Sequence, residues 1–178
     1  MENILRGTRV YLAGPIEHAS DAASWRNDAR GILETMGVKC LVPTSKMIEG
    51  QEAEDAEVYA TIKWLREEGD LERLHIIMKQ IVERDCRVVD LADFVIVKLE
   101  PDVPTFGTIH ELVLALQQHK PLFLCCDKLR LPFWIAGLVK PENIYNTMDE
   151  LLIEVRKIDS GEIALNLKKW KLLAKELR

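Results

Sequence analysis

The chain has 178 residues, 24 basic against 29 acidic for a net charge of −5, with 48% hydrophobic and 30% charged positions. That length suits one domain with a real hydrophobic core, and the balance is that of an ordinary globular protein. A net acidic chain is a poor candidate for gripping a nucleic acid polymer, and its longest apolar runs, Phe94 to Val97 and Leu122 to Cys126, are too short to cross a bilayer.

The segment Met1 to Arg9 lacks the apolar stretch of a secretory signal, so a cytoplasmic protein with no membrane partner is expected. Arg9 to Ala13 reads as a first strand, ended by Gly14-Pro15. Ser24 to Met36 reads as a helix with Trp25, Ala29, Ile32, Leu33 and Met36 on one face, and Gly37 supplies a left-handed stop. Val38 to Val42 is a second strand, closed by Pro43. Thr44 to Arg84 reads as a helical elaboration with an acidic loop, a helix over Val58 to Glu67 and another over Leu71 to Val82. Phe94 to Leu99 is a third strand, Gly107 to His119 a helix, and Pro121 to Cys125 a fourth strand. Asn143 to Tyr145 is a short fifth strand, and Thr147-Met148-Asp149-Glu150 spells a capping box before the next helix.

Strands alternating with helices imply an α/β fold with a parallel sheet covered on both faces. The expected architecture is a flavodoxin-like, doubly wound five-stranded sheet in the order 2-1-3-4-5, with right-handed crossovers. Its ligand site then lies where the order reverses, at the carboxyl ends of the first and third strands. The loops concerned are Gly14 to Ala23 and Glu100 to Thr108. Residues 1–160 are expected to form this domain. Beyond it, Ile163, Leu167, Trp170, Ala174 and Leu177 recur at helical spacing. They define an amphipathic C-terminal helix over 161–178, whose apolar stripe buries either on the chain's own surface or, the favoured expectation, against a second subunit.

The cysteines Cys40, Cys86, Cys125 and Cys126 form no CxxC pair and no zinc-like cluster, so reduced thiols, no metal and no cofactor are expected. Glu49 to Glu57 is acidic and Lys168 to Arg178 basic, both read as solvated surface.

Three pieces carry the candidate chemistry: Val10-Tyr11-Leu12-Ala13-Gly14-Pro15-Ile16, then Arg84-Asp85 with Ala92-Asp93, then Phe106-Gly107-Thr108-Ile109-His110-Glu111-Leu112. Read singly, Glu111 is a solvated first-turn acid kept ionised by the helix N-terminus, Asp85 a helix-surface acid pairing with Arg84 or Arg87, and Tyr11 a half-buried strand tyrosine. An ionised carboxylate at the mouth of a cleft is also what covalent glycosyl transfer requires. It attacks the anomeric carbon as the base leaves, and a second acceptor then releases the sugar.

Taken together, and with Trp25-Arg26, Lys120-Pro121 and Leu131-Pro132-Phe133-Trp134, the chain from about Thr8 to Asp159 resembles the nucleoside 2-deoxyribosyltransferase family. The resemblance implies that Glu111 is the nucleophile, Tyr11 the hydroxyl that orients it, and Asp85 the acid that protonates the departing base. It puts Asp93 at a second active-site aspartate, with a structural acceptor the competing reading. It sets the Gly14-Pro15 turn and the backbone of Gly107 and Thr108 against the sugar or its 5′ substituent. Trp25 would stack on the base or pack in the core, as would Trp134, and Arg26 would meet a phosphate or form a surface ion pair. Pro104-Thr105-Phe106 departs from the turns of some relatives, and His110 stands where the family varies.

The expected function is therefore cleavage or transfer at the N-glycosidic bond of a 2′-deoxynucleoside or its 5′-monophosphate, through a glutamyl-deoxyribose intermediate. The partner is a small nucleoside or nucleotide, and the resemblance adds a homo-oligomer. The alternative is a non-catalytic nucleotide-binding sensor on the same fold, for which a carboxylate at the anomeric carbon would have no use.

Overall fold

Five strands make one parallel sheet which, numbered along the chain, runs in the order 2-1-3-4-5, as the alternation of strands and helices predicts. The computed structural model describes residues 3–16, 23–43, 56–103, 105–163 and 170. In chain order, these hold β1 (Arg9–Ala13), α1 (Ser24–Thr35), β2 (Lys39–Leu41), α2 (Ala56–Glu68), α3 (Leu71–Leu91) and β3 (Phe94–Lys98). There follow α4 (Phe106–Gln117), β4 (Leu122–Cys125), α5 (Phe133–Leu138), β5 (Ile144–Tyr145) and α6 (Met148–Asp159). Short 3-10 turns occupy Lys128–Arg130 and Pro141–Asn143.

The central strands are apolar almost throughout because both faces of the sheet are covered. Side chains alternate between two cores. Val10, Leu12, Phe94 and Ile96 point into one, with Trp25, Ala29 and Leu33 of α1 and Leu151, Leu152 and Val155 of α6. Tyr11, Ala13, Val95 and Val97 point into the other, with Val88 and Val89 of α3 and Leu112 and Ala115 of α4. Register pairs Tyr11 with Val95 and Ala13 with Val97. The β1 side chain that faces α3 and α4 nearest the middle of the strand is thus a tyrosine.

Local signals end the elements where expected. Gly37, at φ 75°, stops the chain after α1, and its hydrogen is required, since a Cβ would come within 2.9 Å of Arg6. Thr147 accepts from the Glu150 N–H at 3.2 Å, and Glu150 accepts from the Asn146 N–H at 3.0 Å, a close variant of the capping box.

Several boundaries differ from expectation by one or two residues, and that of α3 by more. Helix α3 runs nine residues beyond Val82, to Leu91, because the charged stretch that interrupts its apolar period has no glycine or proline and turns one charge, Arg84, inward. Helix α4 starts at Phe106 and ends before His119, which takes φ 57°. At the carboxy-terminal end, Trp170 is buried in the chain's own core, its ring 5.2 Å from Phe94 and 6.5 Å from Phe123. At that residue the stripe packs on its own domain rather than a second subunit; most of the expected helix lies outside the described residues.

Candidate active site

The α3/α4 face of the sheet brings together the three residues to which the sequence assigns chemistry. Tyr11, fully buried on β1, donates its hydroxyl hydrogen to Glu111 Oε1 at 2.7 Å. Asp85 on α3 stands close enough that its charge acts on both. Asp85 itself accepts two bonds from Arg84, from Nε at 3.0 Å and Nη2 at 2.8 Å, both on Oδ1. Neither Glu111 Oε2 nor Asp85 Oδ2 has a hydrogen bond among the described residues, and neither is sealed, since the unpaired and fully buried side-chain polar atom there is Trp25 Nε1.

Glu111 differs from its expected setting. It is 8% exposed, not a solvated acid, and it lies in the second turn of α4. The helix is apolar nearly all round, so hydropathy does not reveal its inner face. That face is Thr108, Glu111, Leu112 and Ala115, while Ile109, Val113 and Leu116 are only partly buried. Burial, then the negative charge of Asp85, pushes the Glu111 carboxyl up to about 8, against lesser downward pulls from the Tyr11 hydrogen bond, Arg26 and Arg84. The Asp85 carboxyl is also raised by burial, with Arg84, through its hydrogen bonds and charge, and then Arg26 pulling it down. Burial drives Tyr11 well above its ordinary value, so it stays a donor.

Other expected site residues take different places. Arg26 is fully buried on α1, and its guanidinium bonds backbone carbonyls at the end of β1 and in the turn after it. Its Nε donates to the Leu12 carbonyl at 3.1 Å, and its Nη atoms reach the carbonyls of Gly14 at 2.7 Å and Pro15 at 3.4 Å. It therefore ties down the turn after β1, whose outward carbonyls would otherwise be unsatisfied. Trp25 belongs to the core and has no face for a base, whereas Trp134, read mainly as core, is 79% exposed. Gly14 is glycine for packing reasons, since a Cβ would sit 2.8 Å from the Trp25 ring and 3.2 Å from the Lys98 carbonyl oxygen. A Cβ at Gly107 would meet nothing within 4 Å, leaving open space at the start of α4. Thr108 is buried beside it and His110 exposed.

Asp93 is not brought to this group. It precedes β3, at the amino end of the sheet, and accepts from the Arg9 backbone N–H at 2.7 Å and from Arg9 Nε and Nη2 at 3.3 Å each. The structural reading of Asp93 fits this position. Conversely, Arg84 had no assigned role beyond an ion pair; a charge at a core-facing helical position was the available signal. A cavity of about 270 Å³ at the carboxyl ends of β3 and β4 includes Lys98, Glu100, Asp102, Arg130 and Asn146 in its wall but none of Tyr11, Asp85 or Glu111.

A family model described as nucleoside 2-deoxyribosyltransferase matches residues 10–144, a span that contains Tyr11, Asp85 and Glu111. The chain belongs to the nucleoside 2-deoxyribosyltransferase family. Among solved structures it is similar to a 2-deoxyribosyltransferase from the psychrotolerant bacterium Bacillus psychrosaccharolyticus, with a TM-score of 0.53 at 16% identity, over 81% of this chain and 90% of that one. It is similar also to a conserved protein from Enterococcus faecalis, with a TM-score of 0.51 at 15% identity, over 85% and 98%. At such identity the likeness speaks for the deoxyribosyltransferase-like fold alone. A search of curated proteins finds no match. Family membership makes this a nucleoside-directed enzyme fold, and no helix among the described residues is long and apolar enough to cross a membrane.

Proposed function

We propose that the chain cleaves the N-glycosidic bond of a 2′-deoxynucleoside or its 5′-monophosphate through a deoxyribosyl ester on Glu111. The observation that carries this reading is the 2.7 Å bond from Tyr11 to Glu111 Oε1 beside Asp85. It leaves Oε2 to form the bond to the anomeric carbon. As the C–N bond breaks, its electron pair goes to the base nitrogen, which takes the proton held by Asp85. A second base or water then attacks the same carbon, its proton passes to Asp85, and the Glu111 carboxylate is released.

The two carboxyls act as a pair sharing one proton in the neutral range, because like charges so close in a dry site oppose double ionisation. The reactive arrangement is the one with that proton on Asp85. In kcat/KM this gives a bell: activity falls at alkaline pH as the pair loses its shared proton, near the Glu111 value of about 8, and at acid pH as a second proton binds. Phe106, Leu129, Phe133 and Trp134, all strongly exposed after the carboxyl ends of β3 and β4, support a homo-oligomer, since a second copy would cover them.

The test is incubation of the protein with a panel of deoxynucleosides and their monophosphates, with and without a second free base, followed by chromatography. Base release only with an acceptor base marks a transferase, and release in water alone a hydrolase. No release from any substrate, with binding intact, would favour the sensor reading and end this one.

A further inference from the structure

Two of the arginine–aspartate pairs among the described residues, both with a mostly buried carboxylate, are built differently. Arg9 places Nε on Oδ2 of Asp93 and Nη2 on Oδ1, a fork across both oxygens. Arg84 places Nε and Nη2 on one oxygen of Asp85, Oδ1. Arg84 is 4% exposed and shares the inner face of α3 with Val88, one turn further on, a position where an apolar residue would serve packing better. A buried cation that spends two donors on one oxygen leaves the other oxygen available at a fixed angle. Among the described residues, the groups around Asp85 are Arg84 and Cys86 on α3, Tyr11 on β1, Glu111 on α4 and Arg26 on α1.

We propose that Arg84 is a positioning residue, which holds Oδ1 of Asp85 so that Oδ2 carries the proton to the departing base and the proton is divided correctly between Asp85 and Glu111. This rests on the reaction proposed above. Tyr11 fixes one oxygen of Glu111 with a neutral donor, and Arg84 fixes one oxygen of Asp85 with a cation. That difference lets Asp85 give its proton up as the base departs, because the cation stabilises the carboxylate left behind. Without the cation, Asp85 holds its proton more tightly and its free oxygen loses its aim.

The experiment compares the wild-type protein with Arg84→Met and Arg84→Lys. Carboxyl carbons of Asp85 and Glu111 are followed by NMR through a pH titration without substrate, and base release is timed for deoxynucleosides of graded leaving ability. In Arg84→Met, the Asp85 titration should move up by about one unit, and kcat for poorly leaving bases should fall about 10- to 100-fold. Well-leaving bases should be much less affected, and KM should change about twofold or less for both. Arg84→Lys should recover part of the titration shift and less of the rate, having the charge without the fork. An Asp85 titration that does not move in either folded variant would overturn the proposal, as would equal slowing of all leaving groups. If the wild type itself releases no base, the reaction proposed above fails while the NMR titration still decides whether Arg84 sets Asp85; Arg84→Lys serves where Arg84→Met does not fold.

Discussion

The two ends of the sheet hold the same residue types and use them in opposite ways. At the amino end, Asp93 receives three bonds from Arg9, spread over both its oxygens, and Asp159 receives the Leu5 N–H at 2.9 Å. Those carboxylates join one chain segment to another. On the α3/α4 face toward the other end, Glu111 and Asp85 are each held by one oxygen only, and burial raises both. Partners that saturate a buried carboxylate make a fastening, whereas a dry carboxylate with lone pairs left over is a reagent kept apart from water. The lesson is that burial and partner geometry, not residue type, separate the two.

The largest effect that would sharpen this contrast is expected at Glu111. Glu111→Gln should lower base release by roughly 10³-fold or more, as removal of a nucleophile does, and chromatography of the product measures it. The same change should alter stability in a pH-dependent way. The folded carboxyl titrates at about 8 against an ordinary value of 4.5, so between these values the folded protein binds more protons than the unfolded chain. Stability from this group is present at low pH and is lost as pH rises through that window. Glutamine cannot ionise. The melting temperature of Glu111→Gln relative to wild type should therefore climb from about pH 5 to pH 9, and a difference that stays flat would mean that Glu111 is wetter and better partnered than a buried carboxyl with one hydrogen bond.

Asp85→Asn should come next, slowing poor leaving bases by about 10²-fold while sparing activated ones. Equal slowing would move Asp85 to the fastening class. Tyr11→Phe should cost about tenfold. It removes the hydrogen bond that favours the Glu111 carboxylate, so the pH at which Glu111 ionises should rise, and NMR titration of its carboxyl carbon reads that shift directly. A Glu111 titration left in place would mean that Tyr11 packs against the carboxyl without supporting its charge.

How much of this was legible in the sequence follows the same division. The strands announced themselves because parallel strands covered on both faces are continuously apolar, and the order 2-1-3-4-5 followed from the alternation. Tyr11, Asp85 and Glu111 were legible as a constellation. The burial of Glu111 was not, because α4 is apolar on nearly every side and its inner face is fixed by Thr108 and Ala115 against the sheet. The length of α3 was hidden by the charges that pair inside it. The burial of Arg26 was hidden because nothing local tells that the turn after β1 needs a guanidinium on its carbonyls. Asp93 carried two readings in the sequence, and its place before β3 on the Arg9 N–H fits the structural one.

The smallest effect on activity, and the sharpest test of the comparison, belongs to Asp93. Its side chain is 11% exposed and its partner Arg9 41% exposed, so solvent screens much of the ion pair, and the worth of the contact lies mainly in the Arg9 N–H that caps the start of β1. Asp93→Asn keeps an acceptor oxygen for that N–H but turns an amide toward the guanidinium. Asp93→Ala removes both. Loss of stability should thus be about 1 kcal/mol or less for Asp93→Asn and about 1–3 kcal/mol for Asp93→Ala, read by denaturant unfolding. Base release by either folded variant should stay within about twofold of wild type, because the residue lies before β3 rather than after it. A loss of tenfold or more without loss of stability would bring Asp93 into the reaction and erase the distinction between the two ends.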